Sequence, residues 1–279
     1  MATNWTDETI EAGPQRVPVR IYRPSQAHMG APLVLHLHGG AFVGGSLESG
    51  RTVATLLAYA GAVVVSADYP HAPMHPFPQA LQAAFAALKW VHKNRARLGG
   101  KRSHLFVAGE EAGGNLAAGL ALMAHDQQTP PLAGQILLSP MLDPQLATCS
   151  MREADAGPVG CKWADGWHDY LGSADKAAHP YAAPLVSSRL AGLAPVLILT
   201  ADDDLLRDES LSYAKRLRAS GVTVQENVLP GPTGWPCALT GFAPVSQTWT
   251  GAVRDRFVEF FTQTLASQGP AASLHPTRT

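Results

Sequence analysis

SHLFVAGEEAGGNLA, the stretch at residues 103–117, carries the signals of a strand, a tight turn and a helix in direct succession. Residues 103–108 form a short apolar run that is typical of a buried strand. Gly109 follows at once, and the Ala- and Leu-rich segment after it is predicted to be helical to about Ala124. A strand that passes directly into a helix is the repeating unit of a parallel sheet covered by helices.

The same alternation continues on both sides of this stretch. The sequence predicts an α/β fold with a mostly parallel central sheet and helices on both faces. We expect one domain over residues 1–266 and a flexible tail at 267–279. Residues 141–185 interrupt the alternation, and we predict that they form a cap over the carboxyl ends of the strands, the edge where such sheets bind ligands. The predicted strands are at 17–22, 32–38, 62–67, 103–108, 136–139, 196–200 and 222–229, and the other predicted helices at 49–60, 80–97, 210–220 and 251–265.

Composition narrows the classes of partner and compartment. The 279 residues are 46% hydrophobic and 15% charged, with a formal net charge of −1, which argues against nucleic acid and membrane partners. Three cysteines at wide, irregular spacing form neither a disulfide framework nor a zinc motif. The first eight residues are polar and acidic and no apolar run is long enough to cross a membrane, so we expect a cytoplasmic protein.

Six short motifs follow one another along nearly the whole chain. They are His38-Gly39-Gly40-Ala41-Phe42, Asp68-Tyr69-Pro70-His71-Ala72-Pro73, Gly109-Glu110-Glu111-Ala112-Gly113-Gly114-Asn115-Leu116-Ala117, Ser139-Pro140-Met141-Leu142-Asp143, Asp204-Leu205-Leu206-Arg207-Asp208-Glu209 and Thr240-Gly241-Phe242. Their order and separations resemble the hormone-sensitive-lipase type of esterases, a family with the α/β-hydrolase fold.

This resemblance implies a serine esterase site: a nucleophilic hydroxyl, a His base, an acid that orients the His, and backbone donors for the oxyanion. It implies that Asp204 stands at the acid position. The implied oxyanion loop contains His38, which shapes the loop, and Gly39. The implied oxyanion donors are the N–H groups of Gly40, Ala41 and Ala112.

Two positions of the implied triad hold residues that cannot run serine-ester hydrolysis. Glu111 stands where the family has its nucleophilic serine, and Thr240 stands where it has the catalytic histidine. No Gly-x-Ser-x-Gly motif occurs anywhere in the chain, and the only histidine after His179 is His275. The sequence therefore offers neither a shifted nucleophile nor an imidazole in the expected loop.

The role of Glu111 stays open: it is either a replaced nucleophile without a role of its own or part of one of two functional arrangements. At the start of a helix, beside N–H groups that suit an anion, an ionised Glu111 would fill the oxyanion hole itself. Alternatively, Glu111 and Asp204 share a proton and act as general acid and base.

Three functions follow as hypotheses. The first is a protein that binds a small acyl- or ester-like ligand without efficient hydrolysis. The second is a divergent cyclase, isomerase or lyase that uses Glu111 and Asp204. The third is a weak carboxylesterase with a relocated base at His71, His75 or His168.

Several further expectations concern the surroundings of the site. We expect Glu110 on the surface, Trp163 and Trp167 in packing contacts of the cap, and Cys237 as an inert thiol. We expect no metal and no organic cofactor. By resemblance alone, a homodimer could form through the last strand and the last helix.

Overall fold

Eight strands form one sheet in the computed structural model, which describes residues 4–13, 15–26, 30–153, 158–240 and 248–268. Their spatial order is β1-β2-β4-β3-β5-β6-β7-β8. The pairs β1–β2 and β2–β4 are antiparallel, and all the others are parallel. The predicted mostly parallel sheet is confirmed. The strands are β1 (Asn4–Ala12), β2 (Gln15–Arg23), β3 (Leu33–Leu37), β4 (Val63–Ala67), β5 (Leu105–Glu110), β6 (Gly134–Leu138), β7 (Val196–Ala201) and β8 (Val224–Leu229).

Helices cover both faces of the sheet, as the sequence predicts. Successive side chains of a strand point to opposite faces, and in β3 Leu35 joins one hydrophobic cluster while Val34 joins the other. The first cluster includes apolar residues of α2, α4 and α7, and the second those of α1 and α8. The helices are α1 (Arg51–Tyr59), α2 (Gln79–Lys93), α3 (Arg95–Leu98), α4 (Ala112–Asp126), α5 (Cys149–Glu153), α6 (Pro158–Leu171), α7 (Arg207–Ala219) and α8 (Thr248–Gln268), with short 3₁₀ turns at Ala174–Ala178, Pro184–Val186 and Cys237–Leu239.

Strand β1 is the element that the sequence does not reveal. Its residues are mostly exposed and polar, and only Ile10 and Ala12 are buried, so the alternation that predicts a strand is missing. The strand pairs with β2 along its length. Arg20 of β2 also binds Asp7 of β1, with 2.8 Å between guanidinium nitrogen and carboxylate oxygen. Strand pairing, this ion pair and the two buried residues near its end hold the strand in place.

The last helix extends beyond its predicted residues at both ends. Helix α8 starts at Thr248 and continues through Gln268, whereas the sequence predicts 251–265. Residues 269–279 of the predicted tail, and Gly241 and Phe242 of the sixth motif, lie outside the described residues. Among the described helices, none combines the length and the apolar composition that a bilayer span requires. Strand β8, through which a homodimer is predicted, lies at one end of the sheet.

Residues 141–185 lie between β6 and β7 and contain α5 and α6. Helix α6 packs directly on the loop after β3. A Cβ atom at Gly166 would lie only 2.2 Å from the carbonyl oxygen of Ala41, so glycine is required for this approach. The rings of Phe42 and Tyr170 stack at 3.9 Å between centroids. The insertion thus covers the first motif loop.

Gly113 lets α4 approach β3, because a Cβ at Gly113 would lie 2.0 Å from the carbonyl oxygen of Leu37. We expect Gly113→Ala to lower the free energy of unfolding by at least about 1–3 kcal/mol, the usual result of overpacking. Urea unfolding measures this change. Gly251→Ala is the matched control, because Gly251 is exposed in α8 and a Cβ there would have no atom within 4 Å. This substitution should raise the free energy of unfolding by about 0.5–1 kcal/mol. Equal stability of Gly113→Ala and the unmodified chain would contradict the close approach.

Candidate active site

Glu111 forms the turn between β5 and α4. Its backbone has φ 52° and ψ −117°, a strained conformation for a residue with a side chain. Two glycines make the turn sharp, because a Cβ at Gly109 would lie 2.2 Å from the carbonyl oxygen of Gly113. The carbonyl of Leu138 accepts the N–H of Glu111 at 3.0 Å. The turn therefore holds the side chain of residue 111 above the sheet, at the position where the resemblance expects a nucleophile.

The loop after β3 faces this turn. Gly40 has φ 132°, and a Cβ there would lie 2.2 Å from the carbonyl oxygen of Gly44. His38 shapes the loop: its Nδ1 lies 2.8 Å from the carbonyl oxygen of Gly39, and its ring stacks on Tyr69. The hydroxyl of Tyr69 donates to the carbonyl of His38 at 2.7 Å. These contacts fix the direction of the loop's N–H groups.

The carboxylate of Glu111 occupies the donors of this loop. Its Oε2 accepts the N–H of Gly40 at 2.5 Å and that of Ala41 at 3.3 Å. Its Oε1 accepts the indole N–H of Trp163, from α6, at 2.5 Å. Glu111 is only 3% exposed, so these bonds replace its hydration. Ala112, the third donor that the resemblance implies, is not among the donors to Glu111 in the described residues.

Trp163 is the site residue that sequence reasoning missed. The sequence predicts only packing contacts for it, whereas its indole also donates to Glu111. No pattern in the sequence connects two residues that lie 52 positions apart. The one available signal is the placement of a Trp-containing cap over the strand ends.

The side chains of Thr240 and Glu111 both lie beside Gly39. A Cβ at Gly39 would lie 2.5 Å from Cγ2 of Thr240 and 2.7 Å from Oε2 of Glu111. The hydroxyl of Thr240 donates to the carbonyl of Cys237 at 3.3 Å. The fold thus brings together the two residues that replace serine and histidine in the resemblance.

The carboxylate of Asp204 forms its hydrogen bonds with groups other than Glu111 and Thr240. Its Oδ2 accepts the hydroxyls of Ser139 and Thr200, each at 2.5 Å, and its Oδ1 accepts the N–H of Leu206 at 2.9 Å. Burial raises the pKa of Asp204, and these three hydrogen bonds oppose that rise. Within the described chain, no hydrogen bond joins Asp204 to Glu111 or Thr240. A shared proton between Asp204 and Glu111 has no direct contact to support it.

Glu110 is fully buried, so the expectation of a surface position is wrong. Its Oε2 lies 2.7 Å from Nε2 of His36, and its Oε1 accepts the N–H of Gly39 at 3.2 Å. The other ring nitrogen of His36 lies 2.9 Å from the hydroxyl of Ser66. This polar chain crosses three adjacent strands, β4, β3 and β5, beneath the loop. Burial is possible because His36 and Gly39 supply partners for both carboxylate oxygens.

The negative charges of Glu110 and Glu111 affect the pKa values of neighbouring groups. Burial, followed by the charges of Glu111 and Glu110, raises the pKa of Tyr69 well above its usual range. Partial desolvation of the thiol, followed by the charge of Glu111, also raises the pKa of Cys237, although the residue is exposed. The thiol is therefore protonated at neutral pH, which makes it a poor nucleophile.

The histidines that could serve as a relocated base make other contacts. His75 is exposed and its Nδ1 lies 2.9 Å from the side-chain oxygen of Gln79, and His168 is exposed on α6. His71 packs against the ring of His38. In the described part of the chain, none of these three forms a hydrogen bond to Glu111 or Thr240. His38, Asp68 and His71 do converge, with potential metal-ligand atoms within 4.8 Å of one another.

Comparison with known proteins gives a consistent picture of what the chain is similar to. A family model described as alpha/beta hydrolase fold matches residues 34–233. The carboxylesterase NlhH of Mycobacterium tuberculosis is 39% identical over 215 residues, which cover 75% of this chain and 67% of that protein. The carboxylic ester hydrolase LipN of the same organism is 38% identical over 230 residues, covering 78% of this chain and 60% of that protein. The structure of a thermostable esterase from Pseudomonas putida ECU1011 matches with a TM-score of 0.82 and 33% identity, over 94% of this chain and 82% of that one.

Trp163→Phe removes the indole donor to Glu111 while keeping most of the ring volume. A hydrogen bond to a charged group contributes about 1.5–3 kcal/mol, so the substitution should lower the free energy of unfolding by at least that much. The loss should shrink when Glu111→Ser is also present. A double-mutant cycle followed by urea unfolding should give a coupling energy of about 1 kcal/mol or more.

Trp167→Phe is the matched control for this cycle. Trp167 is buried on the same helix, and its indole nitrogen has no hydrogen-bond partner among the described residues. Its coupling to residue 111 should be smaller than about 0.5 kcal/mol. Equal coupling energies for the two tryptophans would argue against the hydrogen bond from Trp163.

Proposed function

Since this chain belongs to the α/β-hydrolase family, within the hormone-sensitive-lipase type of esterases, we propose that it binds a small molecule without hydrolysing esters. In this proposal Glu111 replaces the nucleophile and Thr240 replaces the general base. The observation that carries it is the seating of the Glu111 carboxylate on the N–H groups of Gly40 and Ala41. The scaffold is that of an esterase, but the triad is degenerate.

The same donors cannot serve a substrate. In ester hydrolysis they must bind the oxygen that becomes negatively charged in the transition state. A substrate carbonyl would first have to displace an ionised carboxylate from charge-assisted hydrogen bonds, each contributing about 1.5–3 kcal/mol. Glu111 thus acts as a permanent internal occupant of the oxyanion hole.

The residues at the site also cannot carry out the proton transfers that must follow attack on an ester. Thr240 has no nitrogen that can take a proton and return it to a leaving group. Attack of the Glu111 carboxylate on a carboxylic ester would give an anhydride, and a base would be needed to activate the water that breaks it. Thr240 and the histidine contacts described above supply no such base at this site.

We propose an acyl- or ester-like ligand that contacts the cap rather than the oxyanion donors. Support comes from the aromatic side chains around the site, where the ring of Trp167 lies 5.0 Å from that of Phe42 in the loop. Beside Trp167 the cap has a cavity of about 500 Å³ that is lined in part by Leu146, Ala164 and Leu171. This volume suits a small molecule. The homodimer and the cytoplasmic location stay predictions.

The two rival functions have less support. An acid/base cyclase, isomerase or lyase would need Glu111 and Asp204 to face one reacting atom, whereas Asp204 is bonded to Ser139, Thr200 and the backbone. A weak carboxylesterase would need a histidine beside Glu111. His75 instead contacts Gln79, so we rank ligand binding ahead of both.

The double substitution Glu111→Ser and Thr240→His should create ester hydrolysis. Serine would free the donors of Gly40 and Ala41, and the introduced imidazole would stand where the fold already places Thr240 beside residue 111. Initial rates with short p-nitrophenyl esters, C2 to C8, measure the effect. We expect the unmodified chain at the buffer rate and the double variant at least about 10³-fold faster, because triad residues act as a unit.

Two controls separate triad chemistry from nonspecific hydrolysis. Each single substitution should restore little activity, and adding Asp204→Asn to the double variant should lower its kcat. Turnover by the unmodified chain would contradict the proposal. A folded double variant that stays at the buffer rate would show that the site differs from an esterase in more than these two residues.

A further inference from the structure

Three potential metal ligands converge beside the oxyanion loop, and none of them forms a hydrogen bond to Glu111 among the described residues. They are His38, at the start of the loop, and Asp68 and His71, which follow strand β4. Nε2 of His38 lies 3.3 Å from Oδ1 of Asp68. One potential ligand atom from each of the three residues lies within 4.8 Å of the others.

The contact of Nδ1 with a backbone carbonyl determines which ring nitrogen of His38 carries a proton. Nδ1 lies 2.8 Å from the carbonyl oxygen of Gly39, which can only accept a hydrogen bond, so Nδ1 carries the proton. In the neutral ring, Nε2 then presents a lone pair to the carboxylate of Asp68. Two acceptors face each other at 3.3 Å, an arrangement that a cation between them would stabilise. A hydrogen bond from the far nitrogen to a backbone carbonyl is also what metal-bound histidines usually make.

His71 adds an unpaired nitrogen to the same place. Its Nε2 is buried and has no hydrogen-bond partner in the described part of the chain. Its ring packs edge-on against His38, with 5.6 Å between centroids, and against Tyr69 at 5.3 Å. A buried polar atom without a partner is destabilising and calls for an explanation. A metal ion ligated by this ring would provide one.

We propose that Nε2 of His38, a carboxylate oxygen of Asp68 and a ring nitrogen of His71 bind a divalent transition-metal ion of the Zn²⁺ type. Two imidazoles and one carboxylate suit Zn²⁺ and its first-row neighbours, whereas Ca²⁺ and Mg²⁺ prefer oxygen ligands. The site lies outside the hydrogen bonds of Glu111, so the proposal is independent of the proposed function.

The distances agree with tetrahedral coordination. Bonds of about 2.0–2.1 Å place neighbouring tetrahedral ligands about 3.3–3.4 Å apart, the separation found between His38 and Asp68. His71 would have to move by at most about 1.5 Å to reach the same separation from both other ligands.

The site is open on one side. Asp68 and His71 line a cavity of about 710 Å³ that Pro18, Met74 and Gln79 also border. Three protein ligands leave a fourth position of the metal directed to this cavity. Water or a small anionic ligand could occupy it, as in zinc sites with an open position.

Isothermal titration of the untagged full chain with ZnCl₂ tests this proposal, with CoCl₂ titrations followed by visible absorption as a second readout. We expect one ion per chain, and a Kd that rises at least tenfold in His71→Ala and in Asp68→Asn. The Co²⁺ absorption should disappear in His71→Ala. His75→Ala is the matched control, since His75 is an exposed neighbour that contacts Gln79, and it should bind like the unmodified chain.

His71→Ala also distinguishes a metal site from a simple ion pair. If a protonated His38 only pairs with Asp68, His71 has no part in it. Zn²⁺ binding that is absent at millimolar concentration, or that is unchanged in a folded His71→Ala variant, would overturn the proposal. Cysteine thiols that bind Zn²⁺ are the same in both proteins, so the difference between them reports on the proposed ligands alone.

Discussion

The hydrogen bond between the Gly40 N–H and the Glu111 carboxylate is the contact on which the site depends. A carboxylate that is nearly fully buried must find donors for both oxygens. Gly40 and Ala41 serve one oxygen, and Trp163 of the cap serves the other. A single side chain therefore connects the strand–helix turn, the oxyanion loop and the cap, three parts of the chain that are far apart in sequence.

A second carboxylate supports the same loop from beneath. Glu110 accepts the N–H of Gly39 and contacts His36, while Glu111 accepts the next two N–H groups. Successive backbone donors of one loop are thus divided between two adjacent carboxylates. In an esterase these loop donors bind the oxyanion of the substrate. Here the N–H groups of Gly40 and Ala41 bind the Glu111 carboxylate instead. The backbone of the loop is kept while two of its donors bind a carboxylate of the protein itself, and fold alone does not assign an activity.

The sequence is informative about the fold because most of the parallel strands are short, buried apolar runs, and because β5 and β7 are followed within a few residues by α4 and α7. It is less informative where a contact is made between distant residues. The burial of Glu110 depends on His36 of a neighbouring strand, and the bond from Trp163 depends on how α6 packs on Ala41. Strand β1 was not predictable from hydrophobic alternation because most of its side chains are exposed. The convergence of His71 with His38 and Asp68 likewise depends on the path of a loop.

The backbone amide of Gly40 reports most directly on the central claim, that Glu111 fills the oxyanion hole. Its proton chemical shift and its hydrogen-exchange rate can be measured by ¹H–¹⁵N NMR in the unmodified chain and in Glu111→Ser. A charge-assisted hydrogen bond predicts a strongly downfield, slowly exchanging amide in the unmodified chain. In Glu111→Ser the same amide should move upfield and exchange at least about tenfold faster. An unchanged Gly40 amide in the variant would contradict the account, because it would mean that the carboxylate does not bind there.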